Sequence, residues 1–142
     1  MKVKLKLNRK FIPVSIPYIS KKDISSVNSV LKRGWISSDG PELKLFEKKF
    51  SKKINRKYSV AVSSGTAALE IAIKSLNLKK NDEVIIPNFT IISNALAVVK
   101  QNAKPILIDC DIKTWNIKLE DLEKKITKKT KAIILTHIYS FS

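Results

Sequence analysis

The sequence predicts an α/β fold built on a mostly parallel central sheet. Its 142 residues are enough for one domain with a buried core. From Tyr58 onward, short apolar segments of four to six residues alternate with segments of helical periodicity. Strands buried on both faces have this composition, and the intervening helices supply the crossovers of a parallel sheet.

The N-terminal residues predict an arm. Met1–Lys10 alternates lysine with valine and leucine, which is typical of either an edge strand or a frayed basic tail. Pro13 and Pro17 interrupt the apolar segment that follows, so that it should run extended. We therefore expect residues 1–19 to form a basic N-terminal arm and residues 20–142 to form one domain.

Two helices should follow the arm. Ser20 is suited to cap the first, and Gly34 should end it. A loop, Trp35–Pro41, then leads to a second amphipathic helix. The residues at helical spacing are Ile24, Val27, Val30 and Leu31 in the first helix, and Leu43, Phe46, Glu47 and Phe50 in the second.

The rest of the chain predicts alternating strands and helices. The predicted strands are Ser59–Val62, Glu83–Ile86, Pro105–Ile108 and Lys131–Thr136. The predicted helices are Thr66–Leu76, Ile91–Gln101 and Leu119–Ile126. The last strand ends six residues before Ser142, without the helix that normally covers the next crossover. We therefore expect the domain to be truncated at its C-terminus.

Charge and composition restrict the partners. The 28 lysine and arginine residues exceed the 12 acidic ones, giving a formal net charge of +16. Only three of the basic residues are arginine, which is the residue favoured for bidentate phosphate and base recognition, and the lysines are dispersed. We expect any nucleic-acid binding to be weak and nonspecific.

The single cysteine, Cys110, excludes an intrachain disulfide and suits a reducing compartment. No signal peptide is evident, and no apolar stretch approaches the roughly 18 residues that span a bilayer. We expect a cytoplasmic protein without a membrane partner.

Ser63-Ser64-Gly65-Thr66 forms the most informative turn. It lies between a predicted strand and a predicted helix, where free backbone N–H groups and the positive helix end favour an anion such as phosphate. Gly65 would let a ligand approach closely, and a side chain there should obstruct both the turn and the ligand. The alternative is that Ser64 or Thr66 merely caps the helix.

Other candidate residues have simpler interpretations. His137, at a strand end, is either a general base or a structural residue, and Cys110 is either a reactive thiol or a small buried side chain. Asp109 and Asp111 resemble the Asp-x-Asp metal motif of nucleotide-sugar glycosyltransferases. A non-catalytic basic binding domain is a further alternative. If the chain binds phosphate at Ser63–Thr66 instead, we predict no metal site.

Seven motifs together resemble the DegT/DnrJ/EryC1/StrS family of nucleotide-sugar aminotransferases, and the resemblance extends from about Ile12 to Tyr139. In order, these motifs are Ile12-Pro-Val-Ser-Ile-Pro17, Gly34-Trp-Ile-Ser-Ser-Asp-Gly-Pro41, Phe46-Glu47, Ser63-Ser-Gly-Thr-Ala-Ala-Leu69, Asp82-Glu-Val-Ile-Ile-Pro87 with Phe89-Thr90, Lys104-Pro-Ile-Leu-Ile-Asp109, and Thr130-Lys-Ala-Ile-Ile134 leading to His137-Ile-Tyr139. Thr90-Ile-Ile-Ser93 and Thr114-Trp-Asn116 are most similar to the perosamine-synthase branch.

The resemblance implies the N-terminal part of an aspartate-aminotransferase-type (fold type I) large domain that uses pyridoxal 5'-phosphate. It implies that Ser64, Gly65 and Thr66 hold the cofactor phosphate. It places Ile91 against the cofactor ring, although Ile91 could instead be a helix core residue.

For the substrate, the resemblance implies that Trp35, Ser37 and Gly40 lie near the entrance, with a packing role for Trp35 as the alternative. The implied reaction is amination of a keto-sugar on a nucleotide diphosphate, with glutamate as donor, in a homodimer if full length.

Some positions depart from the family pattern. Asn81 and Asn102 replace glycines, a mild change because asparagine tolerates positive φ, whereas Ser140 replaces a glycine less easily. No residue here matches the family's Schiff-base lysine or the aspartate that pairs with the pyridinium nitrogen. We therefore expect the 142-residue chain alone to be inactive.

Overall fold

The computed structural model describes residues 12–140. The chain divides between Ala61 and Val62 into two compact units. The expected edge strand or tail at Met1–Lys10 lies outside the described residues. The division into an arm, residues 1–19, and one domain, residues 20–142, stays a prediction.

Within residues 12–61, the described part of the first unit, regular structure begins with helix α1, Lys21–Lys32. The Ser20 hydroxyl accepts a hydrogen bond from the Asp23 backbone N–H at 3.2 Å, and the Asp23 carboxylate accepts one from the Ser20 N–H at 2.7 Å. This reciprocal cap starts the helix, and Gly34 follows its end with a φ of +73°. Both predicted helix boundaries are confirmed.

Helix α2, Pro41–Lys53, follows α1 in this unit. Proline suits its first turn because the N–H that proline lacks would have no intrahelical acceptor there. The rings of Phe46 and Phe50, one turn apart, stack with their centroids 5.8 Å apart. The predicted second helix is confirmed.

The predicted strand Ser59–Val62 is wrong. This segment has no pairing with any strand in residues 12–140. Instead, the Ser59 hydroxyl donates to the Glu47 carbonyl oxygen at 2.6 Å, and the Ala61 N–H donates to the Glu47 carboxylate at 2.8 Å. A side chain of α2 therefore takes a backbone donor that a sheet ladder would otherwise use.

The second unit contains a three-stranded parallel sheet with helices between its strands. Its elements, in order, are α3 (Gly65–Ser75), β1 (Glu83–Pro87), α4 (Ser93–Val99), β2 (Lys104–Ile108), α5 (Leu119–Lys125), β3 (Thr130–Ile133) and a short 3-10 turn (Ile138–Ser140). The strand order is β2-β1-β3. The predicted parallel α/β architecture is confirmed.

Strand β1 is the centre of this sheet. Ile85 lies opposite Ile106 of β2 and Ile133 of β3, with a register shift near Glu83. Residues Val84, Ile85 and Ile86 are at most 1% exposed although their side chains alternate between the two faces. Both faces of the strand are therefore covered, as its continuous apolar sequence predicts.

The hydrophobic core lies on one face of β1. Helix α4 packs on β1 and β2, and α3 packs on α4. The buried members of this cluster are Ile73, Val84, Ile86, Ala97, Val98 and Ala103. The crossover helix α4 is apolar because it lies between the sheet and α3.

Asparagines occupy several left-handed backbone positions. Asn81 has a φ of +73° and Asn102 a φ of +56°. This confirms that asparagine takes the conformation for which glycine is otherwise used, at the turns that enter β1 and β2.

Among residues 12–140, no helix combines the length and the apolar character that crossing a bilayer requires.

Truncation of Ile86 should destabilise the fold. We expect Ile86→Ala to lower the free energy of unfolding by about 2–5 kcal/mol, because it leaves a cavity beside β1. The matched control is Ile112→Ala, whose side chain is 85% exposed and should change stability by less than about 0.5 kcal/mol. Urea unfolding followed by circular dichroism measures both, and equal effects would contradict the assigned core.

Candidate functional site

The carboxyl ends of β1, β2 and β3 meet at one edge of the second unit's sheet, because all three strands are parallel. Open parallel sheets bind their ligands outside this edge. Polar residues follow each strand there: Asn88 and Thr90 after β1, Asp109 after β2, and Thr136 after β3. This edge is the candidate site.

The turn Ser63–Thr66 ends at the N-terminus of α3. Ser64 has extended backbone angles, and its hydroxyl accepts a hydrogen bond from the Ala67 N–H at 3.1 Å. Ser64 is therefore the cap. The N–H groups of Gly65 and Thr66 belong to the first turn, where a helix offers no acceptor, so they remain available to an anion.

Gly65 is open to a ligand. A Cβ built at this residue would have no neighbouring atom within 4 Å, and its φ is not positive. The expectation that a side chain would obstruct the turn itself is therefore wrong, because the backbone conformation suits any residue. What glycine provides here is unobstructed access to the N–H groups.

Thr66 does not cap the helix. Its hydroxyl oxygen lies 3.0 Å from that of Ser93, the first residue of α4. Ser93 is only 8% exposed, whereas Thr66 is exposed. Sequence reasoning missed Ser93, although a serine before the apolar segment of α4 was a visible signal.

A second polar cluster joins the ends of β1 and β3. The Asn94 amide nitrogen donates to the hydroxyl oxygens of Thr90 at 2.9 Å and Thr136 at 3.0 Å, which are themselves 3.1 Å apart. Asn94 is 3% exposed. Sequence reasoning also missed this cluster, whose signal was an amide side chain within an apolar helix.

Ile91 precedes α4 and is 61% exposed. The alternative in which Ile91 is a helix core residue is therefore wrong for the described structure. Its aliphatic side chain follows Thr90 at the carboxyl edge of the sheet, where it is free to contact a ligand. A role for it in binding stays a prediction.

Both aspartates of the alternative metal motif accept hydrogen bonds from neighbouring groups. Asp109 accepts hydrogen bonds from the Asn88 amide and from the Cys110 N–H, both at 2.9 Å. Asp111 accepts from the backbone N–H groups of Lys113 and Thr114 at 2.9 and 2.8 Å. Among residues 12–140, no group of three or more His, Cys, Asp or Glu side chains could hold a metal ion.

These hydrogen bonds lower the pKa of both carboxyl groups below the ordinary value. The Asn88 amide is the main cause for Asp109, followed by the Cys110 N–H. The Thr114 and Lys113 N–H groups are the main causes for Asp111. Both residues therefore stay ionised at neutral pH. Their hydrogen-bonded oxygens are already engaged by the Asn88 amide and by backbone N–H groups of the adjoining turns.

A cleft of about 490 Å³ adjoins these aspartates, lined by Phe89, Asp109, Cys110, Ile112, Trp115 and Lys118. The rings of Phe89 and Trp115 meet edge to face with centroids 5.3 Å apart. Cys110 is half-buried and pairs as an isolated bridge with Ile117, which supports its packing role. His137 is exposed and lines a separate cleft with Thr136.

Trp35, Ser37 and Gly40 lie together in the loop between α1 and α2 of the first unit. Gly40 is buried, and a Cβ there would lie 3.7 Å from Trp35 Cε3. The Ser37 hydroxyl accepts from the Asp39 N–H at 3.3 Å. Trp35 is 45% exposed, so its ring both packs on the loop and presents a surface.

The fold and the polar carboxyl edge define the class of protein, and solved structures share the fold. Residues of this chain superpose on an Escherichia coli GDP-4-keto-6-deoxy-D-mannose-3-dehydratase with bound hydrated pyridoxal phosphate, with a TM-score of 0.80 and 30% identity, covering 87% of this chain and 33% of that one. They also superpose on a sugar aminotransferase, Spr1654, from Streptococcus pneumoniae in its pyridoxal-phosphate form, with a TM-score of 0.76 and 34% identity, covering 86% and 31%. The architecture is that of fold type I enzymes.

The chain belongs to the DegT/DnrJ/EryC1/StrS aminotransferase family, whose model matches residues 17–140. Over 130 residues it is 42% identical to GDP-perosamine synthase of Escherichia coli O157:H7. This match covers 92% of this chain and 36% of that enzyme. The chain thus spans about a third of the length of the relatives it matches.

The hydrogen bond from Asn88 should influence the titration of the Asp109 carboxyl group. Because the folded pKa of Asp109 is lowered, this bond stabilises the fold above the ordinary value of 3.8 and is lost as pH falls through the lowered pKa. We expect Asn88→Ala to raise the pKa of Asp109 toward 3.8.

Titration of the side-chain carboxyl carbons by NMR measures this shift. Asp111 is the internal control, because backbone N–H groups of its own turn lower its pKa and should still do so. An unchanged Asp109 pKa in the variant would show that the Asn88 amide does not hold the carboxylate.

Proposed function

We propose that this chain supplies the cofactor-phosphate side of a pyridoxal-phosphate-dependent aminotransferase that acts on a keto-sugar nucleotide. The observation that carries the proposal is the open N-terminus of α3 at Gly65, in a chain that belongs to a family of aminotransferases. The proposed site residues are Ser64, Gly65, Thr66 and Ile91.

The donor set fits a phosphate group. The first turn of α3 offers the Gly65 and Thr66 N–H groups at the positive end of an 11-residue helix. That turn contains no acidic residue, so nothing there repels a dianion. The absence of any atom near a Gly65 Cβ leaves room for phosphate oxygens against the backbone.

The ring of the cofactor would lie beyond the phosphate, against the exposed side chain of Ile91. An aliphatic side chain covers an aromatic ring by apolar contact but lacks the stacking contribution of about 0.5–1.5 kcal/mol that an aromatic residue adds. When bound, pyridoxal phosphate supplies the electron sink that amino transfer needs. The Asn94 cluster would hold the loop that carries Ile91 by tying Thr90 to Thr136.

For the substrate we propose Trp35, Ser37 and Gly40 as contacts. A contact between its flanking residues restrains the loop, since the Arg33 guanidinium donates to the Glu42 carboxylate. A restrained loop loses little entropy on binding. A relative is named for GDP-perosamine, so we propose a nucleotide-diphosphate keto-sugar as substrate. We also propose glutamate as the amino donor and a homodimer, as the family resemblance implies.

The test of the phosphate site uses pyridoxamine 5'-phosphate, because its amine does not condense with the 25 lysines of the chain. Gly65→Ala should lower the affinity for this ligand at least about tenfold, since the added methyl group lies where the phosphate approaches. The affinity for pyridoxamine, which lacks the phosphate, should not change. Fluorescence titration at a fixed salt concentration measures both.

Stability separates binding from folding in this variant. Alanine replaces glycine without strain here and should leave the thermal midpoint unchanged or slightly higher. Unaltered affinity for pyridoxamine 5'-phosphate in the folded variant would refute the assigned site.

The chemistry of amino transfer needs residues that this segment does not contain. No lysine of the 142 residues matches the family's cofactor-bound lysine, and no aspartate matches the partner of the pyridine nitrogen. We therefore expect no amino-sugar product when the 142-residue chain is mixed with cofactor, a keto-sugar nucleotide and glutamate. Mass spectrometry of the reaction detects the product, and its formation would contradict this assignment.

A further inference from the structure

A hydrogen bond between two hydroxyl groups links the N-terminus of α3 to the N-terminus of α4. Thr66 Oγ1 and Ser93 Oγ are 3.0 Å apart, and they join the second residue of α3 to the first residue of α4. The two residues differ in environment, because Ser93 is 8% exposed whereas Thr66 is exposed. The distance is compatible with either oxygen as the donor, and this difference in burial favours one direction.

The buried Ser93 hydroxyl is the donor that its burial favours. Within residues 12–140, the Ser93 hydroxyl has Thr66 Oγ1 as its hydrogen-bond partner and no other. If Thr66 donated instead, the Ser93 proton would be left without an acceptor, and an unmade bond of a buried group carries the full desolvation penalty. The exposed Thr66 hydroxyl, in contrast, finds an acceptor in solvent or in a ligand.

This direction prepares Thr66 to bind an anion. The bond from Ser93 fills an acceptor position of Thr66 Oγ1 and leaves the Thr66 proton free. A phosphate monoester dianion only accepts hydrogen bonds, so a hydroxyl contributes to its binding only when its proton faces the ligand. Successive hydroxyl bonds also polarise one another in the same direction.

We infer that Ser93 is a positioning residue that turns the Thr66 hydroxyl into a dedicated donor to the cofactor phosphate. The inference rests on the proposed function, since it deepens the assignment of Ser64, Gly65 and Thr66 to that phosphate. Ser93 itself does not touch the ligand, and its effect passes through Thr66.

The test compares two ligands in the full 142-residue chain. Ser93→Ala should weaken binding of pyridoxamine 5'-phosphate about fivefold and leave binding of pyridoxamine unchanged, because only the phosphate needs the Thr66 proton. A merely structural role for Ser93 would weaken both ligands alike. Fluorescence titration measures the affinities, and circular dichroism checks that the variant is folded.

Two controls isolate the hydroxyl proton. Ser93→Cys nearly keeps the volume but provides only a weak S–H donor, so its loss should approach that of Ser93→Ala. Ser75→Ala removes a hydroxyl from the opposite end of α3, where it donates to the Ala72 carbonyl oxygen, and should leave both affinities unchanged. If Ser93→Ala does not fold, the cysteine variant alone decides.

A double-mutant cycle tests the route through Thr66. Thr66→Val should weaken phosphate-dependent binding, and adding Ser93→Ala to that variant should cause no further loss. Additive losses, or full affinity in both Ser93 variants, would overturn the inference while the phosphate site stands. If the unsubstituted chain does not prefer pyridoxamine 5'-phosphate to pyridoxamine, the proposed function fails and the inference fails with it.

Discussion

The parallel pairing of β1 with a strand on each side is the constraint on which the rest of the second unit depends. β1 exposes almost none of its side chains, because neighbouring strands take its backbone groups and both of its faces are covered. Parallel pairing also requires crossovers, and these place α4 between β1 and β2. The same geometry brings three strand ends to one edge, where polar side chains meet without disturbing the core.

Hydrogen bonds between side chains join the loops at this edge. Asn88 reaches Asp109 between the ends of β1 and β2, and Asn94 reaches Thr136 between the ends of β1 and β3. The Thr66–Ser93 bond connects α3 to the same group of loops. Short polar side chains suit this purpose, because they lose little rotamer freedom and satisfy buried groups that apolar packing would leave unpaired. These hydrogen bonds connect the loops at the edge to one another.

Family membership and local geometry both point to the N-terminus of α3 and the loop after β1 as the proposed cofactor site. The family is shown by a match over residues 17–140, and the shared fold extends over most of this chain but only about a third of the solved relatives. Within that third lie the α3 N-terminus and the loop after β1, whose chemistry suits a phosphate and a ring. Sulfur, carboxylate and imidazole groups of the described residues form no rival metal cluster. The α3 N-terminus and this loop are therefore the part of the chain that supports the proposed phosphate site.

The sequence by itself determined the features that depend on neighbouring residues. Ser20 caps α1, Gly34 follows its end, and Asn81 and Asn102 adopt positive φ, because each effect acts within one turn of chain. The order of strands and helices from α3 to β3 followed from the same local patterns. Only the tertiary structure decided that Ser59–Val62 forms no strand and that Thr66 meets Ser93, 27 residues away, and Asn94 meets Thr136, 42 residues away. A strand forms only when a partner strand takes its backbone hydrogen bonds, and a side-chain hydroxyl bonds to whichever group lies near it in space. Local sequence patterns do not specify partners that are distant in the chain.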